Sequence, residues 1–116
     1  MVVRLAKVLD EKKGKEIMVL ETQDISSLAD YFILCTGSSA PQLKALADAC
    51  ELAMKQADIA PHHIEGRRGG TWILQDYGDV VLHIFSEEAR EFYALDRLWA
   101  DAKQVDVEPL LAEAQA

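Results

Sequence analysis

Thr36-Gly37-Ser38-Ser39 is a small-residue turn between an apolar run and a helix start, an arrangement whose backbone N–H groups hold phosphate in many α/β proteins. It lacks the lysine of a P-loop and the three glycines of a dinucleotide fingerprint, so a capped helix start accounts for it more simply. Nucleotidyl transfer from such a turn needs paired carboxylates to hold magnesium. The helix that follows offers only Asp48 and Glu51 at i, i+3, with no D-x-D strand. Asp76 and Asp79 flank a glycine turn, where acids commonly serve the turn itself. The adjacent His62 and His63 diverge on an extended backbone and have no second ligand pair at metal spacing. His83 alternates with Val81 and Phe85 on one strand face, as a hydrogen-bonded structural histidine or a base would. Cys35 and Cys50 fall in apolar stretches, with no neighbour in sequence to activate a thiol and no C-x-x-C spacing. No nucleophile, base and orienter can be assembled. The chain reads as a non-enzyme that needs neither cofactor nor metal.

The elements that position these residues follow from periodicity. Val2, Leu5, Ala6 and Leu9 mark one helical stripe, and Lys12-Lys13-Gly14 predicts a cationic last turn and a left-handed stop, so a first helix is expected over 2–13. Glu16 to Glu21 is too short and too apolar on both faces for anything but a covered strand. Thr22 to Asp30 is polar and broken, a loop or a tight turn of helix. Tyr31 to Thr36 is the most continuous apolar run and predicts the central strand. Ser39 and Gln42 have capping-box spacing, Pro41 suits a first turn, and Leu43, Leu46, Ala47, Cys50 and Met54 carry a helix to about Gln56. A connection follows, in which His62 to Glu65 could form a short strand. Thr71 to Gln75 and Val80 to Phe85 are joined by Asp76-Tyr77-Gly78-Asp79, a hairpin signal. Ser86 then caps a helix with Glu87 and Glu88 in its first turn, and Phe92, Leu95, Leu98 and Trp99 at helical spacing. The order predicts one α/β domain over 1–103, a mixed β-sheet flanked by helices, with 104–116 as a partly packed or frayed tail.

Composition sets limits on partners. The 116 residues, half of them hydrophobic and 28% charged, suit a single domain that folds alone. A net charge of −8 argues against a protein that grips phosphate backbone and favours a basic protein partner, with little or no nucleic acid contact. The first fifteen residues carry Arg4 and Lys7 inside their apolar stretch, so no signal peptide or membrane span is expected, and a cytoplasmic protein is.

Both tryptophans and two of the three tyrosines lie between Thr71 and Trp99. Alternation puts Trp72, Leu74 and Asp76 on one hairpin face and Val81, His83 and Phe85 on one face of the next strand. If that face is only partly covered, Trp72, Tyr77, Tyr93 and Trp99 become interface anchors rimmed by Asp76, Asp79, Glu87, Glu88 and Asp96. If it is covered, both tryptophans are core. An exposed apolar hairpin face would also serve a homodimer.

The segments ADYFILCTGSS (29–39), EGRRGGTWILQDYGDVVLHIF (65–85) and REFYALDRLW (90–99) closely resemble the ribosomal silencing factor family, RsfS, also called Iojap or YbeB. The resemblance runs from Val2 to about Lys103. It implies a fold similar to that of nucleotidyltransferases without their catalytic acids, and a translational repressor rather than a catalyst. It further implies binding to ribosomal protein uL-fourteen, a basic protein of the large subunit, which blocks joining of the two subunits. The W-x-x-x-D-x-G-D motif of the family matches Trp72, Asp76, Gly78 and Asp79, and its R-x-x-Y-x-L-x-x-L-W motif matches Arg90, Tyr93, Leu95, Leu98 and Trp99. The partner-binding residues this implies are Trp72, Asp76, Tyr77, Asp79, His83, Arg90, Tyr93 and Trp99, with Gly78, Leu95 and Leu98 structural.

Overall fold

The computed structural model describes residues 1–22, 29–66, 71–93, 103–109 and 111. Its elements in chain order are α1 (Val2–Glu11), β1 (Lys15–Glu21), β2 (Tyr31–Gly37), α2 (Ala40–Gln56), β3 (His63–Glu65), β4 (Trp72–Asp76), β5 (Val80–Ser86), α3 (Glu87–Tyr93) and β6 (Lys103–Val105). The six strands form one mixed sheet in the order β3-β4-β5-β2-β1-β6. Only β2 and β5 pair in parallel at its centre, Tyr31 opposite Val80 through Gly37 opposite Ser86, and the other neighbours are antiparallel. The expected mixed sheet with flanking helices is therefore the observed one.

The first helix ends two residues before its expected stop. The left-handed residue is Lys13, at φ 65°, and not Gly14. Gly14 is required for space instead, because a Cβ there would collide with the Cys35 sulfur. The division expected at residue 103 passes through a strand, since β6 pairs with β1 and Val105 and Val107 pack on the core. The loop expected at 22–30 lies largely outside the described residues.

Period-two alternation divides the interior into two layers. Ile33, Cys35, Ile73, Leu82 and Ile84 face α1 and α2, where Leu5, Leu9, Leu43, Leu46, Cys50 and Met54 close over them. The opposite face carries Leu20, Phe32, Leu34, Val81 and Phe85, with Ala89 of α3 packed on it. Apolar residues on successive positions of β2 and β5 are thus explained by burial on both sides.

One polar bridge ties the first layer together. The buried Gln75 side chain donates from Nε2 to the Ala47 carbonyl of α2 at 2.9 Å, and its Oε1 accepts the Tyr77 hydroxyl at 2.7 Å. Tyr77→Phe should therefore lower stability by about 1–2 kcal/mol, because it leaves a buried amide oxygen short of a donor. Urea unfolding measures this, and an unshifted midpoint would mean that the hydroxyl contributes nothing.

Candidate functional site

The second face of the sheet is organised by the β4–β5 hairpin, in which Trp72 stands opposite Phe85, Leu74 opposite His83 and Asp76 opposite Val81. His83 is enclosed by rings. It stacks on Phe85 with centroids 5.9 Å apart and meets the Phe32 edge at 5.2 Å. The Trp72 indole N–H donates to His83 Nδ1 at 3.1 Å, which places the ring proton on Nε2. His83 is 5% exposed, and burial pushes its pKa down to about 4. It is a neutral acceptor that fixes the indole, and burial takes it off the contact surface expected for it.

Trp72 and Leu74 are only half-buried, as is Met18 in this layer. With Glu65 and Gly66 they line a recess of about 160 Å³ at the β3–β4 edge of the sheet. Gly66 lets the chain pass close against the Trp72 backbone. It sits at φ 85°, and a Cβ there would overlap the Trp72 carbonyl oxygen. Glu65 Oε1 lies 2.7 Å from His63 Nε2, and both side chains remain exposed. Beyond Trp72, Ser86 N–H donates to the Thr71 carbonyl at 2.8 Å, and the Ser86 hydroxyl accepts from Ala89 N–H at 3.1 Å to start α3 with the exposed Glu87 and Glu88. An apolar wall with a carboxylate at its rim suits the alkyl stem and cationic head of a lysine or arginine. No sequence pattern marks Glu65 as a site residue, and the one signal for Leu74 is that it shares the Trp72 face by alternation.

The remaining expected contact residues separate. Tyr77 is 4% exposed and belongs to the layer beneath α2, so it is a core residue and not an anchor. Asp76 is half-buried, and its Oδ1 accepts the Gly78 N–H at 2.8 Å to close the hairpin turn. Asp79 is exposed, and its carbonyl receives the N–H groups of Asp30 and Tyr31. Arg90 is 7% exposed and points inward, donating to the Glu16 carbonyl and the Thr36 hydroxyl, each at 3.1 Å. It too leaves the expected contact surface, because its guanidinium is held inside the fold. Tyr93 ends α3, and Trp99, with Leu95 and Leu98, lies outside the described residues.

The alternative site at Gly37-Ser38-Ser39 is occupied by its own chain. Gln42 Oε1 accepts both the N–H and the hydroxyl of Ser38, Ser39 Oγ accepts Gln42 N–H at 3.2 Å, and Gln42 Nε2 donates to the Lys13 carbonyl. Burial pushes Cys35 and Cys50 up to about 12, so neither is a ready nucleophile. Among the described residues, no three His, Cys, Asp or Glu side chains gather where a metal ion could sit, and no helix is long and apolar enough to cross a membrane.

The profile of a family described as "Ribosomal silencing factor during starvation" matches residues 1–116. The chain belongs to the ribosomal silencing factor family. Among its relatives, Ribosomal silencing factor RsfS of Halalkalibacterium halodurans is 35% identical over 104 residues, covering 90% of this chain and 89% of that protein. RsfS of Bacillus subtilis is 36% identical over 103 residues, covering 89% and 87%. A crystal structure of a protein from Chromobacterium violaceum superposes with a TM-score of 0.81 at 36% identity, covering 84% of this chain and 81% of that one. The chain thus spans most of the length of these silencing factors. The fold carries over with it, and the family name assigns ribosome silencing, a form of translational control.

Proposed function

We propose that the chain acts by binding rather than catalysis, docking on ribosomal protein uL-fourteen of the large subunit and so blocking its association with the small subunit. The observation that carries this reading is the recess beside Trp72, which joins a half-exposed indole and leucine to a carboxylate on a protein of net charge −8. Such a surface suits a basic protein far better than a phosphate backbone. Trp72 is the central anchor, and Leu74 and Glu65 complete the recess. Tyr93 and Trp99 are proposed as further contacts on the strength of the family motif alone, and Asp76 and Asp79 edge the far end of the hairpin, about 13 Å from Trp72 by strand rise. The Gly37-Ser38-Ser39 turn gives no comparable support to a nucleotide reading, because Gln42 already takes the Ser38 N–H. A protein with this role works in the cytoplasm, where ribosomal subunits meet.

The direct test is co-sedimentation with isolated large and small subunits under conditions in which they join. The expected result is migration with large subunits and a smaller joined fraction. Protein left at the top of the gradient would overturn the reading. The affinity should also fall as ionic strength rises from about 0.1 to about 1 M, over which the Debye length shrinks from about 10 to about 3 Å. Salt-independent binding would remove the acidic rim from the account.

A further inference from the structure

Arg90 presents an unusual combination. It is a buried arginine on a surface helix, and both of its described acceptors come from other elements. One is the carbonyl of Glu16, a non-glycine residue at φ 50°. The pairing of β1 with β2 slips between Lys15 and Met18, so Glu16 lies in a bulge. Bulged residues are unpaired in the ladder, which leaves this carbonyl available to Arg90. The other acceptor is the hydroxyl of Thr36, near the end of β2 and itself buried. Charge-assisted bonds of this kind are roughly twice as strong as neutral ones.

The helix that carries Arg90 needs such an anchor. α3 spans seven residues, and helices under about 12 residues are marginal in isolation. Its described attachments are the Ser86 cap, Ala89 in the second layer, an exposed Lys15–Glu87 pair at 3.6 Å and the two Arg90 bonds. The exposed pair contributes little. Among the described attachments, Arg90 is the one that ties α3 to two strands at once. Tyr93 follows three residues later, about 4.5 Å further along the axis.

We propose that Arg90 is a positioning residue: from inside the fold it pins α3 to the β1 bulge and to β2, and thereby fixes α3 on the sheet face that also carries Trp72. This rests on the ribosomal reading above, but the anchoring half is measurable without a ribosome. The decisive variant is Thr36→Val, which removes one acceptor at a position no partner can touch. Hydrogen exchange of the free protein should quicken about tenfold at the amides of 87–93, with β5 and α2 unchanged, and large-subunit affinity should fall by a similar factor. Thr36→Ser, which keeps the hydroxyl, should restore both. Equal losses in the two variants would mean that packing of the threonine methyl, and not the bond to Arg90, holds α3, and the proposal would fail. It would fail equally if Thr36→Val left exchange at wild-type rates, or if exchange quickened while affinity did not change. If wild-type protein does not bind large subunits, the ribosomal reading fails and the positioning claim with it, while the exchange comparison still decides whether Arg90 anchors α3.

Discussion

Lowering the pH from 7.5 to 5 should destabilise this protein by roughly 2 kcal/mol through His83 alone. An unfolded histidine takes up its proton near 6.5, whereas the buried ring does so only at about 4. Above pH 6.5 the ring is neutral in both states, and the stability tied to it is fully present. As pH falls from 6.5 toward 4 the unfolded chain binds the proton and the folded chain does not, so each unit of pH costs about 1.4 kcal/mol. Below 4 the folded ring is protonated too, and the loss levels off. The cause is structural, since Phe32 and Phe85 enclose the ring and its Nδ1 already accepts the Trp72 indole proton. His83→Gln keeps an acceptor for that indole and cannot titrate. Urea unfolding of both proteins at pH 7.5 and 5 decides the matter, and an equal drop in the glutamine variant would assign the effect to other groups.

The same ring shows where sequence reading succeeds and where it stops. Alternation along Val80–Ser86 places Val81, His83 and Phe85 on one side, and the structure has them there, because strand periodicity is a local property. α2 starts after the Ser39 cap and ends at Gln56 as its apolar stripe implies, for the same reason. Periodicity cannot say how completely a face is covered, since that depends on elements remote in sequence. His83 and Arg90 therefore look like contacts when read from a motif and are buried in the fold. The two acceptors of Arg90 lie 74 and 54 residues before it in the chain, separations no local pattern encodes. Tyr77 is buried for a different reason. A tyrosine in a hairpin turn reads as exposed, but here the chain turns its ring beneath α2 to meet Gln75. Gly14 illustrates the same limit, because its requirement for space against Cys35 is a tertiary contact.

Trp72→Ala should weaken large-subunit binding by about 2 kcal/mol or more, roughly thirtyfold, as expected for a central aromatic anchor. The change will not be silent in the free protein. The indole packs on Phe85 with centroids 5.1 Å apart and donates to His83, so truncation should also cost about 1–3 kcal/mol of stability. The two effects separate in part with Trp72→Phe, which keeps an aromatic ring in the recess and loses the N–H together with some of the indole area. That variant should retain most of the affinity while His83, freed from the indole, becomes easier to protonate. Affinities must be compared well below the melting temperature of the weakest variant, so that the folded fraction does not enter the result. A well-folded Trp72→Ala protein that binds with wild-type affinity would remove the recess from the interface. Loss in both variants to the same degree would instead make the whole indole, in the orientation that its bond to His83 sets, the feature that the partner reads.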